Sequence, residues 1–149
     1  MLCFCEKEVI PAKDIEITLI DNSGEVLEAF QERVLRALER CGAQGEDYAK
    51  NLAPVGRIYG GSLRGSISHK VDPQEPAVYI GTNSEYGPYV ELGTGKYYPG
   101  GRKTPWAYKD AYGNWHRTEG SKAQPYLKPA VADHGQTYRN IIEDELKKK

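Results

Sequence analysis

The sequence predicts an α+β fold: a long N-terminal helix and a C-terminal helix pack on a small antiparallel sheet, with a long loop or hairpin rich in glycine and aromatic residues. Apolar residues recur at helical spacing between residues 25 and 52 and again near the C-terminus. Between them, short β-rich runs bounded by turn residues indicate a hairpin. At 149 residues, with 39% hydrophobic and 28% charged residues, the chain is predicted to form a single soluble domain over residues 1–149.

The first predicted element is a strand at residues 14–20, where apolar and polar side chains alternate. Turn-forming residues then break the pattern. Either Asn22 with Glu25, or Ser23 alone, is predicted to cap the start of a helix.

A long helix is predicted from about residue 25 to residue 52. One apolar stripe runs along it, formed by Leu27, Phe30, Val34, Leu38 and Cys41. Gly42 and Gly45 each cost about 1 kcal/mol relative to alanine inside a helix, so a weak or kinked point is expected there. Pro54 ends the helix.

A hairpin is predicted across residues 62–82, with its connection at 72–76 and its second strand at 77–80. Three apolar residues are predicted to share a face of the first strand: Leu63, Ile67 and Val71.

Two further elements are predicted in the C-terminal part of the chain. Residues 105–109 and 114–118 flank Tyr112-Gly113 and suggest a smaller hairpin. One C-terminal helix follows, with an apolar side formed by Val131, Tyr138, Ile141, Ile142 and Leu146.

No recognisable catalytic or nucleotide-binding motif stands in the sequence. Gly93-Thr94-Gly95-Lys96 looks like the end of a phosphate loop, but Val90 and Tyr97 stand where that motif needs Gly and Ser or Thr. Glu85 and Glu91 could be paired carboxylates, but no aromatic-lined cleft accompanies them in a recognisable order. We therefore predict a protein that is not an enzyme and binds no cofactor; a small hydrolase with the same layout is the alternative.

The three cysteines are an odd number and do not form a disulfide framework. Cys3 and Cys5 lack a second Cys/His pair at ligand spacing, so no metal site is predicted. The N-terminus does not have the pattern of a signal peptide, and no run of about 18 apolar residues is present. A reducing cytosol is the simpler context, and no membrane partner is expected.

The charge is asymmetrically distributed along the chain. Residues 1–24 carry five acids and two bases, a net charge of −3, whereas residues 94–128 carry seven bases and two acids, a net charge of +5. The total of −1 argues against general binding of nucleic acid or anionic membranes. Oppositely charged surfaces on one chain favour head-to-tail self-association; scattered, solvated charge is the alternative.

Eight aromatic residues fall within 30 positions and are interleaved with Lys and Arg: Tyr86, Tyr89, Tyr97, Tyr98, Trp106, Tyr108, Tyr112 and Trp115. Aromatic residues and Arg dominate the hot spots of protein interfaces, which favours protein contact. The alternative is a nucleic-acid-binding module in which segment 95–124 stacks on single strands. Packing of the domain's own interior would account for part of the set.

Five sequence pieces occur in a recognisable order. They are Ala53-Pro54-Val55, Leu63-Arg64-Gly65-Ser66-Ile67, Gly81-Thr82-Asn83, the stretch from Glu85 to Thr94 (EYGPYVELGT), and Gln124-Pro125-Tyr126-Leu127-Lys128-Pro129-Ala130. From about residue 25 onward they resemble the tail-completion or head–tail joining (neck) family of long-tailed phages, the tail-component family. The resemblance assigns residues 25–149 to a tail-completion-like domain and leaves residues 1–24 as an N-terminal strand extension. Residues 56–61 are longer than the family's usual turn.

The resemblance implies a structural virion protein that joins head and tail at the neck of a long-tailed phage or prophage. It implies a ring, a hexamer or dodecamer, that contacts head-completion or connector proteins and tail tube or tail terminator proteins, without sequence-specific nucleic acid. The protein is then expected in the virion neck or tail, assembled in the host bacterial cytoplasm. Six residues are predicted to form its contacts: Tyr86, Tyr89, Glu91, Arg102, Trp106 and Trp115.

Overall fold

A computed structural model describes residues 9–12, 15–18, 20–56 and 60–148, with side chains from residue 20 onward. Its elements are β1 (Val9–Ala12), β2 (Ile15–Thr18), α1 (Ser23–Leu52), α2 (Ser62–Ser66), β3 (Ile67–Asp72), β4 (Ala77–Thr82), α3 (Gly87–Leu92), a 3-10 turn (Gly95–Tyr97), β5 (Trp106–Lys109), β6 (Trp115–Thr118), α4 (Leu127–Ala132) and α5 (Gly135–Lys147). The predicted α+β class is confirmed. The strands form three antiparallel pairs, β1–β2, β3–β4 and β5–β6.

The N-terminal strand prediction is confirmed at β2, which pairs with an unpredicted strand, β1. Val9 lies opposite Thr18, and the register continues to Ala12 opposite Ile15. The predicted alternation of side chains on this strand lies outside the described residues, as do Cys3 and Cys5.

α1 begins at Ser23, about two residues before the predicted start. Asn22 occupies the N-cap position but makes no side-chain capping hydrogen bond. Instead, the Ser23 amide donates to Asp21 Oδ1 at 2.9 Å, and this bond lowers the pKa of the Asp21 carboxyl below its usual range. A carboxylate is favoured here because it faces the positive end of the helix dipole.

The helix continues through Gly42 and Gly45 with no break in its assigned span. Both glycines are buried where α1 packs on the β3–β4 hairpin. A methyl group at Gly42 would overlap the His69 imidazole and lie 2.8 Å from Val78 Cγ2. The glycines therefore serve close approach of helix and sheet, a role that the predicted weak point did not include.

We expect Gly42→Ala to lower the free energy of unfolding by about 1–3 kcal/mol, because the added methyl must displace an aromatic ring in a packed layer. Gly24→Ala, in the first turn of the same helix, is the matched control because a methyl group added there would meet no other segment of the described chain within 4 Å. That control should leave stability unchanged or raise it by up to about 1 kcal/mol, because alanine is the better helix former. Chemical denaturation measures both, and equal stability of the two variants would contradict this packing argument.

The β3–β4 hairpin begins later than predicted. Leu63 lies in α2, so the expectation that it shares a strand face was wrong. Gly61 opens a helical turn at φ +90°, and the Gly65 amide donates to its carbonyl at 2.8 Å. Val78 and Ile80 lie on the face of β4 that packs on α1, since they are among the side chains nearest Gly42 and Gly45.

The predicted C-terminal helix is divided into α4 and α5. At the break, the Ala130 carbonyl accepts a hydrogen bond from the Tyr138 hydroxyl at 2.6 Å, which offsets the interruption of the helix. Val131 therefore lies on a separate short helix and is exposed, so its placement on the apolar side was wrong. Ile142 is also exposed, while α5 packs along α1.

The buried core surrounds the C-terminal half of α1. Its members are Ala49, Ala53, Leu63, Ile67, Tyr126 and Ala130, with Tyr48, Ile80, Val90 and Leu127 packed around them. In contrast, every residue from 20 to 32 is exposed, including Leu27 at 57% and Phe30 at 52%. The predicted stripe thus begins on an uncovered surface and becomes buried only along the second half of the helix.

A His–carboxylate cluster joins α1 to the sheet. Glu46 Oε2 accepts from the His69 amide at 3.1 Å and lies 2.5 Å from His69 Nδ1, while Glu39 Oε1 lies 3.2 Å from Nε2. The Glu46 bond is the main cause that raises the pKa of His69. Bonds from Lys50 and His69 lower the pKa of Glu46.

We expect stability to fall as pH rises from about 6 to 8, because a histidine whose folded pKa is raised stabilises most below its unfolded value of about 6.5. This contribution is lost as pH passes upward through the folded pKa. Glu46 contributes in the opposite sense: its lowered pKa stabilises above its unfolded value and is lost at acidic pH. Melting temperatures across this range should show a slope that His69→Gln flattens. An unchanged slope in His69→Gln would contradict the assignment.

Candidate assembly surface

Residues 95–120 form an excursion that we call the arm. Backbone hydrogen bonds fix its base: the Lys96 amide donates to the Glu119 carbonyl at 3.0 Å, and the Thr94 amide donates to the Ser121 carbonyl at 2.9 Å. The Ser121 amide returns a bond to Thr94 Oγ1 at 2.9 Å, and the Lys96 and Glu119 side chains form an ion pair. The arm therefore leaves the domain from a defined point.

The glycines at this base have a structural role. Gly95 stands at φ +60° and Gly120 at φ +111°. L-residues other than glycine rarely adopt these backbone conformations. A methyl group on Gly95 would collide with the Glu119 carbonyl, and one on Gly120 would collide with the Thr94 carbonyl. Gly95 and Gly120 thus permit the two backbone segments of the base to lie in close contact.

The predicted smaller hairpin is confirmed as β5–β6, which forms the outer part of the arm. Its turn is organised by Asp110, which accepts from the amides of Tyr112 at 2.9 Å and Asn114 at 2.8 Å and lies 2.8 Å from His116 Nε2. The His116 bond, followed by the Asn114 amide, lowers the pKa of Asp110 to about 2. One carboxylate therefore orders the tip.

The arm presents aromatic and cationic groups to solvent. Trp115 is 71% exposed and Tyr112 is 75% exposed. Lys109 Nζ lies 5.8 Å from the centre of the Trp115 ring, and Arg102 Cζ lies 5.8 Å from that of Trp106. Within the described chain, the hairpin makes no extensive contact with another helix or strand. Because grouped, exposed aromatic side chains are typical of interaction sites, this surface is suited to contact with a partner.

An apolar groove lies beside the base of the arm. It has a volume of about 290 Å³ and is lined by Pro88, Tyr89, Leu92, Gly93, Thr94, Gly95, Tyr98 and Gly101. Tyr89 and Leu92 project from α3 and are 63% and 52% exposed. A second cavity, of about 230 Å³, shares Tyr89 and is also lined by Pro54 and Tyr86. The groove and the arm thus form one continuous surface.

Glu91 connects α3 to the start of α4. Its carboxylate accepts hydrogen bonds from three successive backbone amides, those of Tyr126 at 2.7 Å, Leu127 at 2.9 Å and Lys128 at 3.0 Å. The first turn of a helix leaves such amides without intrahelical partners. Glu91 therefore holds α4 against the segment that bears the groove.

We expect Glu91→Ala to lower the free energy of unfolding by about 1–3 kcal/mol, because it leaves the three amides without their carboxylate partner. Glu85→Ala removes an exposed carboxylate from the same segment and should be near neutral. Urea denaturation of the pair provides the comparison. Equal free energies of unfolding for Glu91→Ala and Glu85→Ala would show that the hydrogen bonds to Glu91 do not stabilise the fold.

The six residues predicted as contacts fall into three places. Arg102, Trp106 and Trp115 belong to the arm, Tyr86 and Tyr89 line the second cavity, and the Glu91 carboxylate is engaged within the chain. Tyr86 also hydrogen-bonds Ser62 through its hydroxyl. Their role as contacts stays a prediction.

Sequence reasoning missed two parts of the surface. Leu92 and Tyr98 complete the groove. Tyr98 was among the eight aromatic residues that favoured protein contact but not among the six predicted contacts, and the spacing of Leu92 did not distinguish it from a packed residue. Val26, Leu27 and Phe30 form an exposed ridge on α1. Their signal was available, because the predicted stripe was longer than a small sheet could cover.

Among the described residues, no group of three or more His, Cys, Asp or Glu side chains is arranged to hold a metal ion. The same part of the chain contains no helix with the length and apolar character needed to cross a membrane.

Comparison with known proteins gives one family. The sequence model of the HK97-gp10-like family, described as "Bacteriophage HK97-gp10, putative tail-component", matches residues 17–93, just over half of the 149-residue chain. The match includes α1, the β3–β4 hairpin and α3, and it ends at the base of the arm. Neither the curated proteins nor the solved structures gave a match.

Proposed function

Since the chain belongs to the HK97-gp10-like family of bacteriophage tail components, we propose that it is a ring-forming tail-completion protein that joins head and tail at the neck of a long-tailed phage or prophage. Its role is structural and involves no catalysis. Its partners are further copies of itself, a head-completion or connector protein, and a tail tube or tail terminator protein.

The observation that carries this proposal is the arm. A structural protein that links two preformed assemblies needs a surface that is folded before the partner binds. The apolar side chains of that surface stay exposed to water until the partner covers them. The arm has this character, because its base and its turn are fixed by hydrogen bonds while Trp115 and Tyr112 remain exposed. Residues 94–128, which include it, carry a net charge of +5, whereas residues 1–24 carry −3. This distribution supports contact between different surfaces of successive copies.

The proposal is tested by adding the purified protein to a lysate of phage that lacks it. We expect filled heads and finished tails to combine into infectious particles, with a yield that rises with the amount of protein added. Protein with both tryptophans of the arm replaced should be inactive in this assay. A lysate that gives no additional particles would contradict the joining role.

A DNA-binding titration separates this role from nucleic-acid recognition by the basic segment. The joining role predicts little affinity of the isolated protein for DNA. Strong binding that weakens steeply with added salt would instead favour nucleic-acid recognition.

A further inference from the structure

We propose that the ridge of Val26, Leu27 and Phe30 on one copy docks in the Tyr89–Leu92–Tyr98 groove of the next copy, beside that copy's arm. This inference rests on the proposed function and specifies the contact that builds the ring. It assigns a role to two apolar surfaces that are exposed in the described part of the chain.

The ridge is the uncovered start of an otherwise buried stripe. Leu27, Phe30 and Val34 follow one another at spacings of three and four residues, so they share a helix face. Phe30 is 52% exposed and Val26 is 66% exposed. Large apolar side chains grouped in this way on a helix are typical of a helix that lies in the groove of a partner.

The groove offers matching chemistry. Apolar and aromatic side chains surround its volume of about 290 Å³, and its lining includes Tyr98 and Gly101 of the arm. The exposed aromatic ring of Tyr89 is free to pack against an incoming aliphatic or aromatic side chain.

Charge complementarity supports the same pairing. Residues 20–32, all exposed, contain four acids (Asp21, Glu25, Glu28 and Glu32) and no base. Glu25, Glu28 and Glu32 each stand two positions before an apolar residue of the stripe, which places them on nearly the opposite face of the helix. A helix with one apolar face and one acidic face fits between an apolar groove and a basic arm, because the groove receives the first face and the arm lies beside the second.

The ridge and the groove of one copy cannot meet. Tyr89, on the groove, shares a cavity with Pro54, just beyond the C-terminal end of α1. Phe30 lies 22 residues before Leu52 in the same continuous helix, which places it about 33 Å from that end at 1.5 Å per residue. Since the two surfaces stand at opposite ends of a rigid element, their pairing joins different copies. Such a contact is head-to-tail and closes into a ring when the rotation permits.

The test uses two full-length variants that each lose one surface. The ridge variant carries Leu27→Asp and Phe30→Asp, and the groove variant carries Tyr89→Asp and Leu92→Asp. Each should be monomeric by sedimentation under conditions in which the wild-type protein assembles. An equimolar mixture should contain heterodimers and nothing larger, because the intact groove of the first variant receives the intact ridge of the second. Val131→Asp, at an exposed apolar position on α4, is the matched control and should assemble like wild type.

Several results would overturn the inference. These are wild-type protein that stays monomeric at its highest soluble concentration, a ridge or groove variant that still assembles, or a mixture that stays monomeric. A ridge variant with a strongly lowered melting temperature and intact assembly would assign the ridge to a segment of its own chain. Serine at the same two positions repeats the test if the aspartates prevent folding. These failures are distinct from failure of the joining role, because the lysate assay measures joining independently of self-association in solution.

Discussion

Replacing Trp106 and Trp115 together by alanine is expected to leave the protein folded and to abolish the joining of heads to tails. Both rings lie on the arm, with Trp115 71% exposed and Trp106 beneath the Arg102 guanidinium. If each behaves as an interface hot spot worth about 2 kcal/mol, loss of both weakens the contact by roughly three orders of magnitude, since each 1.4 kcal/mol is tenfold. Their truncation removes little from the core, because the hairpin makes no extensive contact with it.

The measurement is the titre and particle morphology of phage that carry the double variant, together with the melting temperature of the purified protein. Tyr79→Ala provides the control: this ring is 56% exposed on β4, away from the arm. We expect wild-type titre from the control and unjoined particles from the double variant. Wild-type titre from both would show that the arm has no part in joining.

Gly95→Ala is expected to release the arm from its base. The substitution forces alanine to φ +60° and drives its Cβ into the Glu119 carbonyl. The left-handed conformation alone costs roughly 1–2 kcal/mol, and overpacking adds about 1–3 kcal/mol. Since the obstacle is backbone rather than a flexible side chain, the Lys96–Glu119 hydrogen bond must break. The arm should then become a ready target for limited proteolysis, and joining should fail.

Gly113→Ala is the control that separates the cost of a positive φ from the cost of a collision with neighbouring backbone. Gly113 also has a positive φ, +88°, but a methyl group added there would meet no other segment of the described chain within 4 Å. We expect a modest local cost of about 1–2 kcal/mol at the tip of the hairpin and a protease-resistant base. Similar cleavage rates for the two variants would show that the close contact at Gly95 does not hold the arm.

Much of the fold was predictable because the spacing of apolar residues differs between helices and strands. The helical spacing predicted α1 within about two residues, and the Tyr112-Gly113 turn predicted β5–β6. The errors occurred at short elements, where a periodic pattern is too brief to decide the structure. The residues around Leu63 do not show that Gly61 opens a helical turn. Those around Val131 do not show that the helix is interrupted before α5, where the Tyr138 hydroxyl donates to the Ala130 carbonyl.

The sequence predicted which segment forms the candidate surface, but not how its side chains are arranged. The many Tyr, Trp, Lys and Arg residues of the arm indicated contact with a partner, whereas composition does not show which rings face solvent. Glu91 illustrates the limit: its three amide partners lie 35 to 37 residues away in the sequence. The roles of Gly42 and Gly95 likewise depend on chain segments far along the sequence.

The central claim is that this protein joins heads to tails, and electron microscopy of a lysate from phage that lack it tests that claim most directly. We expect DNA-filled heads and full-length tails lying separately, in normal numbers and without attachment. Complete virions in that lysate would contradict the claim.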